Sequence, residues 1–391
     1  MKYKKLKEII EFNPQEKINK KKKYKKIKME DIKCFNKNIS QYSIEEYNGG
    51  MKFRNGDTLL ARITPCLENG KTAQVDILEE NEIGYGSSEY IVMRPKDEIS
   101  DKDYIYYLAI SPFFRDVAIK SMVGTSGRQR VQLDVLKNLE MLIPDYEIQV
   151  KIGKILSKFD EKININNKTN DNLYELGDAL YKEYYSKYEN ELPNGYKYLD
   201  LNEVSVNFDS KRKPMSSRER EQHKGIYPYY GATSIIDYVD DYIFDDTYLL
   251  MGEDGTVKTN EGYPVLQYIW GKSCINNHTH VLQGTIISTE HLMFALRKKN
   301  IETLITGAVQ PKINQENMNK IKIIIATDDI NIKFEEQIKI IVDKIKFNSI
   351  ENITLTQLRN TLLPKLMNGK IDLNKIEVWR WIYLKQQISM D

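Results

Sequence analysis

Two stretches of the chain place apolar residues at alternating intervals of four and three. The first covers residues 152–184, and the second covers residues 334–366, with each position displaced by 182 residues. Such a spacing is typical of helices that pack through one apolar seam. We therefore predict long helices at 145–190 and 327–370, each roughly 60 Å long. The predicted seam positions are Ile163, Asn166, Asn170, Leu173 and Leu180 in the first helix, and Ile345, Asn348, Asn352, Leu355 and Leu362 in the second.

The seam contains asparagines at matching places in both helices. Asn166 and Asn170 in the first helix correspond to Asn348 and Asn352 in the second. Asparagine in an apolar seam costs stability but can fix the register and orientation of the helices. A lone asparagine would indicate an interruption of a loose helix, whereas matched pairs favour the register-setting role. The obvious partner of each helix is the other copy.

The repeat continues upstream of the helices. "RQRVQLDVLKNLEMLIP" (128–144) matches "QPKINQENMNKIKIIIA" (310–326), and "GDTLLAR" (56–62) aligns best with "DDTYLLM" (245–251). Two related halves in one chain imply a pseudo-two-fold internal repeat. The predicted segments are a globular part at 1–144, a helix at 145–190, a globular part at 191–326, a helix at 327–370 and a tail at 371–391.

Both globular parts show the mixed patterns of an α+β fold. In the first part, "GDTLLARI", "KTAQVDIL" and "EYIVMRP" predict strands, and "DKDYIYYLAISPFFRDVAI" predicts a helix that starts at Asp101. In the second part, "DTYLLM", "THVLQG" and "LMFALR" predict strands.

The composition indicates a globular protein. Of 391 residues, 41% are hydrophobic and 29% are charged, and no apolar run is long enough to cross a bilayer. The Lys-rich N-terminus has no apolar signal segment, so we expect a cytoplasmic protein without a membrane partner. Three unpaired cysteines indicate neither a disulfide framework nor a CxxC zinc site.

Positive charge is concentrated in two clusters, although the net charge is only +2. The segment 17–28 holds eight lysines in twelve residues, and "KRKPMSSRER" (211–220) is the second cluster. Such clusters can contact phosphates independently of sequence, while the alternative for the lysine run is a solvated arm. The candidate DNA-binding residues in these clusters are Lys21, Lys22, Lys23, Lys211, Arg212, Lys213 and Arg218.

Glycine-flanked polar loops occur at equivalent places in the two globular parts, at 124–130 and 307–312. Their side chains suit base edges and phosphates, although a single arginine is usually an ordinary surface charge. The candidates are Thr125, Ser126, Arg128, Gln129 and Arg130 in the first loop, and Gln310 and Lys312 in the second. Arg62, Asn69 and Lys71, in "GDTLLARITPCLENGK" (56–71), are further candidates, with the equal alternative that they hold the fold.

Catalytic interpretations find little support in the residues. Cys274, His278, His280 and His291 form a conceivable zinc set, but an H-x-H strand without a second ligand pair is more often structural. The nuclease-like "PDYEIQVK" (144–151) straddles the start of a helix and lacks a matching acidic strand. Neither a P-loop nor an amino-methyltransferase motif occurs, so we predict no catalytic or metal residues.

The chain resembles the specificity subunits of type I restriction–modification enzymes over most of its length, from about Tyr3 to Leu373. The stretches that carry the resemblance include "GDTLLARITPCLENGKTA", "YPYYGATSIIDYVDDYIFDDTYLLMGEDGTV", "GKSCINNHTHVL", "TGAVQPKINQENMNKIKI" and "LRNTLLPKLMNGKI". Candidate DNA-binding residues that lie within these stretches are Tyr230, Thr233, Asn277 and His278.

The resemblance implies two target recognition domains, each reading half of a split site in double-stranded DNA, and two helices that pack as an antiparallel coiled-coil spacer. It also implies partners: two modification subunits that methylate adenine N6 and ATP-dependent restriction subunits. S-adenosylmethionine, ATP and Mg are expected on those partners and not on this chain. Half-sites roughly one turn (~34 Å) apart would suit such a spacer.

Two other functions remain open from the residues. One is a DNA-binding scaffold outside restriction, and the other is a metal-dependent nuclease that uses His278, His280 and His291. The tail departs from the family pattern because it carries Trp379 and Trp381. Three alternatives stay open for that tail: it packs on the coiled coil, binds a partner or forms a disordered extension.

Overall fold

The computed structural model describes residues 1–19, 21–307, 310–371 and 373. The chain forms two compact units, of which the first comprises Met1–Asn167 together with the segment from Ser349 onward, and the second comprises Lys168–Asn348. Each unit therefore contains part of both long helices. The predicted tail with Trp379 and Trp381 lies outside the described residues, apart from Ile371 and Leu373.

The first unit consists of three sheets and short helices. Its strands are β1 (Lys2–Lys5), β2 (Ile10–Phe12), β3 (Lys23–Ile27), β4 (Ser43–Glu46), β5 (Met51–Phe53), β6 (Thr58–Ala61), β7 (Thr72–Gln74), β8 (Gly84–Gly86), β9 (Tyr90–Pro95) and β10 (Glu140–Ile143). Its helices are α1 (Leu6–Ile9), α2 (Lys102–Ile110), α3 (Pro112–Lys120), α4 (Leu133–Asn138) and the start of α5 (Tyr146–Tyr184). The strand orders are β2-β9-β6-β7, β4-β3-β8-β5 and β1-β10.

The second unit repeats this topology. Its strands are β11 (Lys197–Asp200), β12 (Ser205–Asn207), β13 (Lys224–Tyr230), β14 (Ile235–Val239), β15 (Phe244–Asp245), β16 (Tyr248–Gly252), β17 (Leu266–Ile269), β18 (Lys272–Ile275), β19 (Thr279–Gly284) and β20 (Lys322–Ile325). Its helices are α6 (Leu201–Val204), α7 (Ser217–Gln222), α8 (Thr289–Arg297), α9 (Gln315–Asn319) and the start of α10 (Asp328–Met367). The strand orders β12-β19-β16-β17, β14-β13-β18-β15 and β11-β20 match those of the first unit, which confirms the predicted repeat.

One predicted strand is a helix. "LMFALR" lies in α8, whose first turn is capped by the Ser288 hydroxyl accepting from the His291 amide. Every residue from Leu292 to Leu296 is buried, so the run shows no polar face to reveal the helical period. A short apolar run fits a buried strand and a buried helix equally well, and the prediction was therefore wrong. "THVLQG", in contrast, is β19 itself.

The helix predicted from Asp101 is two helices. The Asp101 carboxylate accepts from the Tyr104 amide and caps α2, as predicted. The helix then ends because Ser111, at φ −64° and ψ 143°, is extended before Pro112, the first residue of α3. A residue that precedes proline is disfavoured in the helical region, which explains the break.

The larger hydrophobic core of each unit lies between its central sheet and one helix. In the first unit α2 packs on β6, β7 and β9, and in the second unit α8 packs on β16, β17 and β19. The long helices extend these cores: Ile152 and Leu156 of α5 join the core around α2, and Phe334 and Ile338 of α10 join the core around α8. No helix in the described ranges is both long and apolar enough to cross a membrane.

The two long helices pack antiparallel within each unit. In the first unit Asn166 lies beside Asn352 while Asp160, earlier in α5, lies beside Arg359, later in α10. In the second unit Asn348 bonds to Asn170. The order of contacts runs in opposite directions along the two helices, as expected for the fold.

Near Leu180 and Leu362, which both pack against the cores, the more buried residue is the one that follows the predicted seam position. Leu180 is half-buried, whereas the next residue, Tyr181, is 8% exposed. Likewise Leu362 is half-buried and Leu363 is 3% exposed. A strict four–three pattern assumes 3.5 residues per turn, whereas a straight helix has 3.6, so the buried face moves one residue along each long helix.

Candidate nucleic-acid interface

A short hairpin stands beside the end of β6 in the first unit. Val123 and Arg130 exchange two backbone hydrogen bonds of 3.0 and 2.9 Å. The Thr64 amide, just beyond β6, donates to the Gln129 carbonyl at 3.0 Å. Gly124 at φ +137° makes the turn possible, because side chains disfavour that backbone conformation. We call Val123–Arg130 the first loop.

The second unit contains the equivalent hairpin. Thr306 and Lys312 exchange two backbone hydrogen bonds of 2.8 Å, and the Gly255 amide beyond β16 donates to the Pro311 carbonyl at 3.1 Å. Gly307 lies at φ +87°. We call Thr306–Lys312 the second loop, of which residues 308–309 lie outside the described ranges. Lys312 and Arg130 are separated by the same 182 residues as the seam positions.

A carboxylate orients the basic residue that ends the first loop. Arg130 donates to Glu89 through Nη2 at 2.7 Å and through Nε at 3.0 Å. These bonds lower the pKa of the Glu89 carboxyl, so the pair is ionised at neutral pH. Arg62 lies against the same residue, because its amide donates to the Glu89 carbonyl at 2.9 Å. The Arg62 Nε is buried without a hydrogen-bond partner among the described residues.

Other first-loop candidates are free at the surface. Thr125, Ser126 and Arg128 are exposed, and none of the hydrogen bonds or ion pairs in the described part of the chain involves their side chains. Gln129 is half-buried. The loop therefore presents one tethered arginine beside one free arginine.

Some residues of the stretch 56–71 hold the fold together, and others are exposed at the surface. The Lys71 amine donates to the Met29 carbonyl at 2.6 Å and so ties two segments of the unit together. Gly70 lies at φ +78°, where a Cβ would lie 2.5 Å from the Phe35 ring. Asn69, which precedes Gly70, is exposed. Lys71 thus serves the fold, while Asn69 is available to a ligand.

Hydrogen bonds through Asn276 connect two candidates of the second unit, Tyr230 and His278. The Asn276 amide donates to the Tyr230 carbonyl at 3.0 Å, and the Asn276 side chain accepts from the His278 amide at 3.0 Å. The His278 ring contacts Asp254 at 2.6 Å, next to the second loop. Asn277 is exposed, and Tyr230 is half-buried with its pKa raised to about 12 by burial.

Arg212 is the centre of an ion-pair network. It bonds to the Glu253 carboxylate at 2.6 Å and to the Thr279 carbonyl at 2.8 Å, and its side chain is 14% exposed. Glu253 also pairs with Lys312 at 3.1 Å. Burial alone would raise the pKa of Glu253, but the bonds to Arg212 and Lys312 lower it. Arg212 therefore organises the site and is not free to contact a ligand.

Asp209, Glu253 and His280 offer potential metal-ligand atoms within 4.8 Å of one another. His280 contacts Asp209 at 2.6 Å and the Ile313 carbonyl at 2.8 Å, both of which are acceptors. The pKa of Asp209 falls to about 2 because hydrogen bonds and the charge of His280 outweigh burial, which would raise it. Arg212 and Lys312 already neutralise Glu253, so the cluster stabilises itself with the protein's own cations.

The residues of the conceivable zinc set occupy separate networks. His278 is exposed beside Asp254, His280 is buried beside Asp209, and His291 is buried beside Glu335 at 3.2 Å. The Cys274 thiol donates to the Asp241 carbonyl at 3.4 Å. Their different partners give no basis for a shared metal centre.

The basic clusters are largely exposed. In β3, Lys25 and Lys26 pair with Glu82 at 3.1 Å and Glu45 at 2.7 Å. Lys211 lies 4.8 Å from the centre of the Phe208 ring, and Thr233 is at the exposed connection between β13 and β14. The remaining exposed candidates are Lys21, Lys22, Lys23, Lys213, Arg218 and Gln310.

The candidates predicted from the sequence do not include Glu89, Glu253 and Asp209, the carboxylates that orient the basic side chains. A signal was present for Glu89, since it directly precedes β9 just as His278 directly precedes β19. Extending the repeat alignment through these strands would have marked Glu89 as a site residue. Glu253 and Asp209 have no comparable signal, because their partners come from distant segments.

Comparison with known proteins identifies the fold and the family. The family model described as the type I restriction modification DNA specificity domain matches residues 1–175 and 193–360. The chain belongs to this family. Similar proteins include the HindI specificity subunit of Haemophilus influenzae, 23% identical over 407 residues that cover 81% of this chain and 87% of the relative. The MjaIX specificity subunit of Methanocaldococcus jannaschii is 23% identical over 319 residues, 72% of each chain.

A solved structure shares the fold. The type I S subunit from M. genitalium superposes with a TM-score of 0.51 at 17% identity, covering 93% of this chain and 95% of that one. The specificity-subunit family confirms the resemblance inferred from the sequence motifs. The chain is a DNA-recognition subunit of a type I restriction–modification complex and not an enzyme in its own right.

Proposed function

We propose that each unit reads one half of a split site in double-stranded DNA, through the first loop in one unit and the second loop in the other. The observation that carries the proposal is the equivalence of Arg130 and Lys312. Each ends a glycine-containing hairpin beside the end of a central strand, and each is oriented by a glutamate, Glu89 or Glu253. Charge-assisted bonds of this kind fix a cation before a ligand arrives.

The exposed candidates divide by chemistry. The exposed lysines suit phosphates, which position a protein without specifying sequence. Loop and strand-end side chains suit base edges in the major groove. The residues that we assign to DNA are Lys21, Lys22, Lys23, Asn69, Thr125, Ser126, Arg128, Gln129 and Arg130 in the first unit, and Lys211, Lys213, Arg218, Tyr230, Thr233, Asn277, His278, Gln310 and Lys312 in the second. Arg62, Lys71 and Arg212 support these surfaces.

The chemistry is assigned to partners. Two modification subunits would transfer methyl groups from S-adenosylmethionine to adenine N6, and restriction subunits would use ATP and Mg. Exposed apolar side chains on α10, such as Ile340 at 73% and Phe347 at 58%, support a docked protein along the long helices. Without a docked protein, these large apolar side chains would face water and lower the solubility of the chain.

The test is to express the chain with a type I modification subunit from the same organism, in a host without adenine methylation, and to map methylated adenines across the genome. We expect one bipartite motif that disappears when this chain is omitted. A stable complex without new methylation would favour the DNA-binding scaffold instead. Methylation at a continuous, undivided motif would refute the assignment of one half-site to each unit.

A further inference from the structure

A charged cluster is buried where the long helices meet α2 in the first unit. Arg359 of α10 donates to the Asp160 carboxylate of α5, and the Tyr107 hydroxyl of α2 donates to the same carboxylate. Asp160 is 7% exposed, Arg359 is 3% exposed, and Tyr107 is fully buried. Arg359 also donates to the Asn360 side chain at 3.1 Å. Each charged group has its partner within the cluster.

The repeat places apolar residues at the equivalent positions of the second unit. Phe294 is the sixth residue of α8, as Tyr107 is of α2. Val342 and Gly177 are displaced by 182 residues from Asp160 and Arg359. Phe294 fills the space that an arginine would need, because a Cβ on Gly177 would lie 2.2 Å from its ring. At these three equivalent positions the first unit thus has tyrosine, aspartate and arginine, and the second unit has phenylalanine, valine and glycine.

The asparagine pairs do not share this asymmetry. Asn166 donates to Asn352 in the first unit, and Asn348 donates to Asn170 in the second, so the repeat exchanges one pair for the other. Two copies of the same half-chain would bring an equivalent asparagine to each position. The amide pairs therefore fix register without distinguishing like from unlike helices.

We propose that Tyr107, Asp160 and Arg359 determine which helix pairs with which. The first half of the chain fits only a helix with arginine at the position of Arg359, which is the second half, and rejects another copy of itself. In a pair of first halves, Asp160 would face Gly177 and stay buried without a countercharge. In a pair of second halves, Arg359 would face Val342 in the same unpaired state. A buried charge without a partner is strongly unfavourable.

The consequence concerns assembly and is independent of DNA reading. The pseudo-symmetry alone would allow two chains to exchange halves or to join through like halves. The cluster removes the like-with-like alternatives, since a satisfied buried ion pair adds little stability but a broken one costs much. This is specificity obtained by destabilising the wrong partner.

The test uses the folded full chain with a protease site placed in the 190–195 connection and cut after purification. Two cut preparations that differ in isotopic mass are mixed, and native mass spectrometry counts pairs of like and unlike fragments after exchange. For the wild-type chain we expect label exchange with unlike pairs only. In Tyr107→Phe/Asp160→Val/Arg359→Gly, which copies the second unit, we expect the fraction of like pairs to rise about tenfold or more.

A second variant distinguishes a change in pairing from a folding defect of the first variant. Asp160→Leu/Arg359→Met retains more side-chain volume and has the same expected outcome. Lys158→Ala/Glu161→Ala removes an exposed ion pair of 2.5 Å on α5 and should leave the pairing of fragments unchanged. Like pairs in the wild-type mixture, or no increase in either cluster variant, would overturn the proposal.

Discussion

The side-chain amide of Asn166 donates to that of Asn352 at 2.9 Å, which joins α5 to α10 within the first unit. Asn166 is 2% exposed, and its other amide hydrogen reaches Glu351 at 2.7 Å. The repeat reproduces the pair in the second unit through Asn348 and Asn170 at 2.8 Å. The polar interruptions of the seam are thus hydrogen-bonded crossing points and not defects in the helices.

Replacing one asparagine of this pair should destabilise the protein, because its partner is left with an unsatisfied buried amide. In Asn352→Leu, one buried N–H of Asn166 loses its acceptor, and we expect the free energy of unfolding to fall by about 1–2 kcal/mol. Asn166→Leu/Asn352→Leu should recover part of that loss, because no unsatisfied amide remains. Denaturant unfolding measures both effects.

Asn172→Leu, at an exposed position of α5, is the control and should change the free energy of unfolding by less than about 0.5 kcal/mol. A loss in the control equal to that of Asn352→Leu would contradict the argument.

The free arginine of the first loop should act on one half-site alone. Because Arg128 is exposed and Arg130 is held by Glu89, Arg128→Ala removes a contact without disturbing the loop. We expect binding to the full site to weaken by about 1–3 kcal/mol if Arg128 reads a base, and the salt slope to fall by about 1 if it binds phosphate. Titration of the complex with DNA altered in either half-site distinguishes these outcomes.

Gln310→Ala is the matched variant of the second unit, because Gln310 is exposed and lies 182 residues after Arg128. It should affect discrimination at the other half-site and leave the first unchanged. Equal loss at both half-sites from either variant would contradict the assignment of one loop to each half.

Glu89 should act by positioning Arg130. In Glu89→Gln the Arg130 guanidinium loses its charged partner, so the loop is less ordered while the surface becomes more positive. We therefore expect weaker discrimination at the first half-site together with stronger binding to unrelated DNA at low salt. The measurement is the ratio of affinities for cognate and altered sites.

Glu82→Gln is the control for charge alone. Glu82 pairs with Lys25 at 3.1 Å, and its loss changes net charge by the same amount. If both variants lowered discrimination equally, charge and not the orientation of Arg130 would be responsible.

Long-range regularity made much of the fold predictable from the sequence. A spacing sustained over about 40 residues marks a helix and its apolar face, and two copies of that spacing mark the repeat. The same reasoning failed for "LMFALR", where burial on all sides removes the polar positions that reveal a period. Near the end of the first seam the more buried residue is Tyr181, although Leu180 also packs against the core.

The functional surface was less predictable for a related reason. The repeat located both loops because they are separated along the chain by the same 182 residues as the seam positions. It could not show that Lys71 and Arg212 are held by intramolecular partners, since Met29 and Glu253 lie about 40 residues away in each case. Arg359 illustrates the same limit. It falls at the four–three position between Leu355 and Leu362, but its burial depends on Asp160 and Tyr107, which only the folded chain brings together.

The buried His291 makes the stability of the second unit depend on pH. Its ring is fully buried between Tyr185 and Phe334, with ring centres 4.8 Å away in both cases. Burial lowers the pKa of His291 below its usual value of about 6.5, and the bond to Glu335 opposes that shift only in part. The neutral imidazole is therefore the form that fits the folded chain.

The sign of the effect follows from proton uptake. Below about pH 6.5 the unfolded chain binds a proton at His291 that the folded chain does not, so acid favours unfolding. The contribution of this residue to stability is complete above that pH and declines by up to about 1.4 kcal/mol per pH unit below it. We expect this decline to be absent in His291→Leu, measured by denaturant unfolding between pH 5 and 8. His223→Leu, at an exposed ring beside Asp240, should keep the wild-type slope, and its loss there would assign the effect to another group.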